Sequence, residues 1–228
     1  MKPLTKDTCS CRSDPNQVAT NGRRVLLGWI GAGVASQSLA RDLTLSADHE
    51  LLQAFVPELQ MLRQPKTLAW TRVSAETDGS AIAPHATGSF QMEIIATFRW
   101  AERPREPFGF TVLGGLANVT VDCAPRNVIA EFGSQPPCQV VAWASPVRKT
   151  PACGPLLPLD TRAVTVHTYV DGEIMETIAN NRTAMVTYHK EIPTANSTAV
   201  SLFGAAVGVE AELKSWSLAA ANNFGPQP

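Results

Sequence analysis

The sequence predicts an all-β protein whose main body is a two-sheet antiparallel β-sandwich. Three observations carry that prediction. Apolar and polar residues alternate with a period of two along most of the chain, turn-forming pairs punctuate the alternating runs, and a single short stretch reads as helix. Alternation at period two places one set of side chains on each face of a strand, which suits a sheet with one buried face. Asn-Gly and Asp-Gly tolerate positive φ and close tight hairpins, so strands adjacent in sequence should pair antiparallel.

The clearest strand is "SFQMEIIATFR", residues 89–99, with Phe90, Met92, Ile94, Ala96 and Phe98 on one face and Gln91, Glu93, Thr97 and Arg99 on the other. "VGVEAELKSWSL", residues 207–218, alternates in the same way, and its pattern outweighs the helix propensity of Ala, Glu, Leu and Lys. Further strands are expected over residues 23–30, 42–46, 67–74, 108–114, 118–122, 127–132, 139–145, 163–170, 173–179, 183–189 and 199–204. The turns between them fall at Asn21-Gly22, Asp78-Gly79, Gly114-Gly115, Pro136-Pro137 and Asp171-Gly172.

The one helical stretch is "PELQMLRQ", residues 57–64. Pro57 suits the first helical position, Glu58 the positive end of the backbone dipole and Arg63 the negative end, and Pro65 stops the run. It divides the chain into a polar start with a few strands (residues 1–56), a linker helix (57–65), a β-sandwich (66–221) and a tail (222–228). The first part is too small to bury a respectable core by itself. The many short, evenly spaced strands of the third part are the mark of a sandwich.

Hydrophobic residues make up 44% of the 228, enough for an ordinary core and too many for a disordered chain. The formal net charge is −1 and no basic run exceeds a pair, so nothing offers a footprint for nucleic acid. No apolar stretch reaches the roughly 18–20 residues of a membrane span, and "MKPLTKDTCSCRSDPNQ" lacks the apolar centre of a signal peptide. No membrane partner is expected.

Cys9, Cys11, Cys123, Cys138 and Cys153 match no zinc spacing, and His49, His85, His167 and His189 are scattered, so no metal site is assigned. The pairing of the cysteines is left open. Three sequons, at Asn118, Asn181 and Asn196, lean mildly toward a eukaryotic secretory route.

"RRVLLGWIGAGVASQSLARDL" has the apolar run and Gly31-Ala32-Gly33 with which a dinucleotide-binding loop begins. Such a loop needs an amphipathic helix running out of it, so that the pyrophosphate rests on the helix N-terminus. The residues after Gly33 turn into another strand pattern and no α/β alternation follows. A strand, a glycine-rich loop and a return strand is the better reading, and no cofactor site is assigned.

These residues do resemble a known family. "NGRRVLLGWIG…SQSLARDLTLSADHELLQAFVPELQMLR" is similar to the end of the catalytic domain of glycoside hydrolase family 32, the β-fructofuranosidases, invertases, levanases and inulinases. There a strand close to "GRRxLxGW" is followed by "xxPRxLxL" and "LxQxPxxELxxLR". The matching positions are Gly22, Arg23, Arg24, Gly28, Trp29, Arg41, Leu43, Leu45, Leu52, Gln53, Pro57, Glu58, Leu59, Leu62 and Arg63. A second, weaker match is "VHTYVDGEIMETIANNRTAMVTYHKEIP", where Asp171, Ile174, Glu176, Ala179, Asn180, Arg182 and Pro193 fall in step, with Trp216 in the closing strand. Here Glu173 stands for the family's Ser and Ile178 for its Phe. Residues 101–158 depart further, with "SPVRKTPACGPLLPLD" in place of the family's Asp-Arg motif.

The resemblance implies that residues 21–220 correspond to the C-terminal third of a family member: the last strands of a truncated five-bladed β-propeller followed by the β-sandwich. Family chemistry is retaining hydrolysis of a fructosyl bond by two carboxyl groups about 5–5.5 Å apart, one ionised and one protonated. The family draws its nucleophile from an Asn-Asp-Pro-Asn motif, a stabilising Asp from Arg-Asp-Pro and its acid/base from Glu-Cys, all upstream of the residues matched here. Asp14-Pro15-Asn16 echoes the first motif but is ordinary turn chemistry in this setting, and Asp42 of Arg41-Asp42 is followed by Leu43 instead of proline. Glu-Cys is absent from the sequence. No catalytic residue is therefore assigned.

Other chemistries fare no better. No G-x-S-x-G elbow supports a serine hydrolase. Trp70, Trp100, Trp143 and Trp216 read as buried anchors between sheets, and Glu173 and Glu176 as strand-surface or structural groups. The expected function is the C-terminal portion of a β-fructofuranosidase-like hydrolase, inactive by itself, whose sandwich stabilises the propeller and leaves room for a homodimer contact. The alternative is a non-catalytic β-sandwich that binds carbohydrate or protein. Family habit and the sequons suggest secretion or a vacuole. Substrate would be sucrose or a fructan, and only with the propeller present.

Overall fold

A computed structural model describes residues 22–30, 36–74, 85–86, 88–123, 138–144, 152–158, 161–188, 194, 198–204 and 208–219. The chain forms two compact units, Met1–Leu59 and Gln60–Pro228.

In the first unit the strands are β1 (Arg24–Leu26), β2 (Trp29–Ile30), β3 (Ser36–Gln37), β4 (Arg41–Leu45) and β5 (Leu51–Phe55). β1, β4 and β5 make a three-stranded antiparallel sheet, and β2 pairs with β3. The strand expected over residues 23–30 is interrupted at Leu27-Gly28. Gly28 nevertheless stays tied to the opposite side of the hairpin, because its N–H donates to Ser38 Oγ at 2.7 Å and its carbonyl accepts from Ser38 N at 2.8 Å. β5 was not expected, since "LLQAF" opens with two adjacent apolar residues and lacks strict alternation. Gly31-Ala32-Gly33 and Asp14 lie outside the described residues.

The helix expected over residues 57–64 is a 3₁₀ helix over Pro57–Leu62, and Arg63 already belongs to a strand. The reason is a competing ladder. The carbonyl of Leu62 accepts from Ala219 N at 2.8 Å, so the chain leaves the helix to pair with the strand that ends beside it.

The second unit holds β6 (Arg63–Ser74), β7 (His85–Ala86), β8 (Gln91–Trp100), β9 (Phe108–Val112), β10 (Ala117–Asp122), β11 (Gln139–Ala144), β12 (Ala152–Pro155), β13 (Ala163–Asp171), β14 (Ile174–Ala179), β15 (Thr183–Tyr188), β16 (Ala199–Phe203) and β17 (Val209–Leu218). They build two six-stranded sheets, ordered β12-β11-β10-β9-β16-β7 and β15-β14-β13-β8-β17-β6, with antiparallel pairing throughout. β7 and β12 were not expected because they are too short to show a period. The strand expected over residues 127–132 lies outside the described residues.

Alternation places the core as the sequence suggests. Met92, Ile94, Ala96, Phe98 and Trp100 of β8 face Phe108, Phe110 and Val112 of β9 in one buried cluster. Aromatic packing joins the two sheets: the Phe108 ring lies 5.1 Å from Phe98 and 5.7 Å from Trp100, within the range that tilted and edge-on pairs prefer. Gly109 is needed in this packing, because a Cβ there would collide with the Val119 carbonyl oxygen on the neighbouring strand. Cys123 and Cys138 form a disulfide that continues the β10–β11 ladder one step past Asp122 and Gln139. Cys153 is a free, exposed thiol.

Candidate functional site

Two polar clusters stand out, one in each unit, and each is centred on an arginine that the sequence motifs marked. In the first unit Arg23, just before β1, donates from Nε to Asp42 Oδ1 at 3.0 Å and from Nη2 to Asp42 Oδ2 at 2.7 Å. The same guanidinium bonds Glu58, Nη1 to Oε1 and Nη2 to Oε2 at 3.1 Å. One planar fork thus binds β4 and the 3₁₀ turn to the start of β1, a task for which arginine is better shaped than lysine. The bonds from Arg23 hold the Glu58 carboxyl at about 2 and raise the guanidinium above its ordinary value. Nearby, Arg41 is buried, donates from Nη1 to Gln53 Oε1 at 3.2 Å and lies over the Phe55 ring.

In the second unit Glu93 of β8 has no solvent exposure, although it sits on the face of the sheet turned away from the core. Arg63, the first residue of β6, reaches across β17 to meet it in a two-pronged pair, Nε to Oε2 at 2.7 Å and Nη2 to Oε1 at 2.6 Å. His167 of β13 places Nε2 at 2.8 Å from Glu93 Oε1. Tyr169, directly opposite Glu93 in the ladder, also hydrogen-bonds the carboxylate. Trp216 of β17 lies under the guanidinium, 3.9 Å from its carbon to the ring centroid, a close cation–π contact.

The electrostatics follow from this arrangement. Burial alone would push the Glu93 carboxyl up, but the bonds from Arg63 and His167 outweigh it and hold the group at about 2. Burial, and next the negative charge of Glu93, push the Tyr169 hydroxyl well above its ordinary range. Arg63 is held more firmly protonated by its bond to Glu93. A carboxylate so ionised and so enclosed serves poorly as an acid and cannot touch a substrate. Its chemistry is to fix the edge strand β6 against β8.

The sequence marked Arg63 and Trp216 but missed their partners. Glu93, His167 and Tyr169 are far apart in the chain and meet only through strand register, which no local signal shows. The expectation for Trp216 is corrected: Trp100 is an anchor between the sheets, whereas half-buried Trp216 lies on the opposite face as a platform for Arg63. Glu173 is exposed in the β13–β14 turn, while Glu176 is buried on β14. Asp42, the echo of the stabilising aspartate, is occupied by Arg23. Asp171 accepts from Gln91 Nε2 at 2.7 Å. Among the described residues no group of three or more His, Cys, Asp or Glu is placed to hold a metal ion, and no helix is long and apolar enough to cross a membrane.

Fold and clusters together define an all-β chain with a two-sheet sandwich and a small antiparallel unit, each fastened by arginine–carboxylate pairs. Solved structures share this fold. Fructan 1-exohydrolase IIa from Cichorium intybus superposes with a TM-score of 0.66 at 16% identity, covering 88% of this chain and 46% of its own. Sucrose-6-phosphate hydrolase from Lactobacillus gasseri gives 0.61 at 12% identity, covering 88% and 39%. Exo-inulinase from Aspergillus awamori gives 0.59 at 14%, covering 86% and 41%. The chain therefore spans less than half the length of these similar structures. No family model and no curated protein matches the sequence.

Proposed function

We propose that the chain is the C-terminal portion of a glycoside hydrolase family 32 β-fructofuranosidase-like protein, comprising the last strands of a propeller blade and the sandwich that follows. The observation that carries this reading is a coincidence of two independent signals. The arginine–glutamate motif residues that resemble the family, Arg23, Glu58 and Arg63, are the ones that form the fastening pairs. The fold that contains them is shared with part of three fructosyl hydrolases.

The first unit fits the blade assignment. A propeller blade has four strands, and β1, β4 and β5 supply three. Its Val25, Leu27, Trp29, Leu45 and Leu51 are exposed, which a neighbouring blade would cover. The sandwich then acts as a scaffold for a propeller that carries the catalytic carboxylates and, with them, the choice among sucrose, inulin and levan. The chain by itself is inactive. Secretion or a vacuolar location suits the Cys123–Cys138 disulfide, since such bonds persist in oxidising compartments.

The test is the coding sequence upstream of Met1 together with the mass of the polypeptide in its native source. Upstream Asn-Asp-Pro-Asn, Arg-Asp-Pro and Glu-Cys motifs in one continuous product support the proposal. A native product of 228 residues that binds a fructan without cleaving it supports a free-standing binding module instead.

A further inference from the structure

We propose that Asn181 is an N-glycosylation site, placed so that its glycan covers the seam where the edges of the two sheets meet. The inference rests on the secretory location proposed above and adds a modified residue to it.

Asn181-Arg182-Thr183 is a sequon, and Asn181 stands exposed at the tip of the β14–β15 turn. Arg182 N donates to Ala179 O at 2.9 Å to close that turn, with Asn180 and Asn181 at φ 48° and 55°. Asparagine enters this left-handed region more readily than other side-chain-bearing residues. The two asparagines divide the work. Asn180 turns inward, its Oδ1 accepting from Thr165 N and its Nδ2 donating to Leu157 O, both at 2.9 Å. Asn181 is thereby left on the outside, carried by a turn that its neighbour anchors.

The sequon at Asn118 is placed differently. Asn118 is half-buried in β10, with β9 and β11 paired on either side, and its Oδ1 accepts from Thr120 Oγ at 3.1 Å. A bulky glycan suits a hairpin tip better than the middle of a sheet. The sequon at Asn196 lies outside the described residues.

The surroundings of Asn181 suggest what the glycan does. β15 is the edge of one six-stranded sheet and β12 the edge of the other. Thr183 Oγ donates to Pro155 O at 2.5 Å and joins the two edges. Edge strands invite pairing with other chains, and a hydrated group beside them discourages it. In the transfer step Asn181 Nδ2 attacks the anomeric carbon of a lipid-pyrophosphate-linked oligosaccharide. The new C–N bond replaces the C–O bond to pyrophosphate, which leaves with the lipid, and the amide gives up one proton. Because transfer acts on the emerging chain, the later engagement of Thr183 with Pro155 does not compete.

The experiment expresses the full chain behind a cleavable leader in insect cells and maps its peptides by mass spectrometry. Leader cleavage shows entry to the secretory route, so the outcome does not depend on the natural location or on hydrolase function. We expect a glycan on Asn181 that N181Q removes and that an endoglycosidase releases without denaturation, with more aggregation in N181Q. An unmodified Asn181 in leader-cleaved chain, secreted or retained, would overturn the proposal. So would a glycan at Asn181 that is released only after unfolding.

Discussion

The two units solve the same problem with different means. In Gln60–Pro228 two six-stranded sheets bury a continuous aromatic and aliphatic core, with Met92, Ile94, Phe110, Val112 and Leu213 fully enclosed. Among the described residues of Met1–Leu59 only Ile30, Phe55 and Val56 are buried large apolar residues, while Trp29 is 55% and Leu45 63% exposed. Each unit still places an arginine fork on a carboxylate, at Arg23 in one and Arg63 in the other. The lesson is that the same residue pair has a different weight in each setting. Around Glu93 it is enclosed, and breaking it leaves a buried charge; around Glu58 it is washed by solvent.

The largest effect should therefore come from breaking the pair around Glu93. Arg63→Ala leaves the fully enclosed Glu93 carboxylate without its main counter-charge, and stranding a buried charge in this way costs about 3–5 kcal/mol. Urea unfolding followed by fluorescence should show that loss, whereas Glu58→Ala should barely move the same transition. Equal effects from the two variants would erase the distinction between the units.

Next comes the disulfide. Cys123 and Cys138 are 15 residues apart, and opening a loop of that size costs about 3 kcal/mol in the chain-entropy account. Adding reductant should lower the sandwich melting temperature, measured by calorimetry, and leave hydrogen exchange in β1, β4 and β5 unchanged.

A smaller, graded effect is expected in acid. The folded Glu93 carboxyl titrates near 2, below its ordinary 4.5, so its contribution is fully present above about 4.5 and is lost as pH falls through about 2. Stability should decline over that window in the natural chain, and the decline should be shallower in Glu93→Gln. A Glu93→Gln profile of the same steepness would remove Glu93 as the cause.

The smallest thermodynamic effect should come from the exposed apolar residues of the first unit. Trp29→Ser with Leu45→Lys should reduce association, measured by light scattering, with little shift in the unfolding midpoint. A large fall in the midpoint would mean that these side chains already have a packed role within the chain.

Much of the fold was legible in the sequence because alternation is a local signal. The strands at Phe108–Val112, Ala163–Asp171 and Val209–Leu218 follow from it directly. β5, β7 and β12 did not follow, because two to five residues without strict alternation carry no period. The helix at residues 57–64 was half right: Pro57 and Glu58 start a helical turn, but the ladder to Ala219 ends it before Arg63. The clusters were legible only as motif positions. Arg23, Glu58 and Arg63 could be picked out, yet their partners Asp42 and Glu93 depend on strand register, which only the folded chain sets.

As proposed above, these residues form a scaffold and not a catalyst. The direct measurement is release of fructose from sucrose, 1-kestose and inulin by the purified 228-residue chain. No release above a buffer blank is expected. Fructose release that co-purifies with the chain would contradict it, above all if Asp42→Asn abolished the activity and left the fold intact.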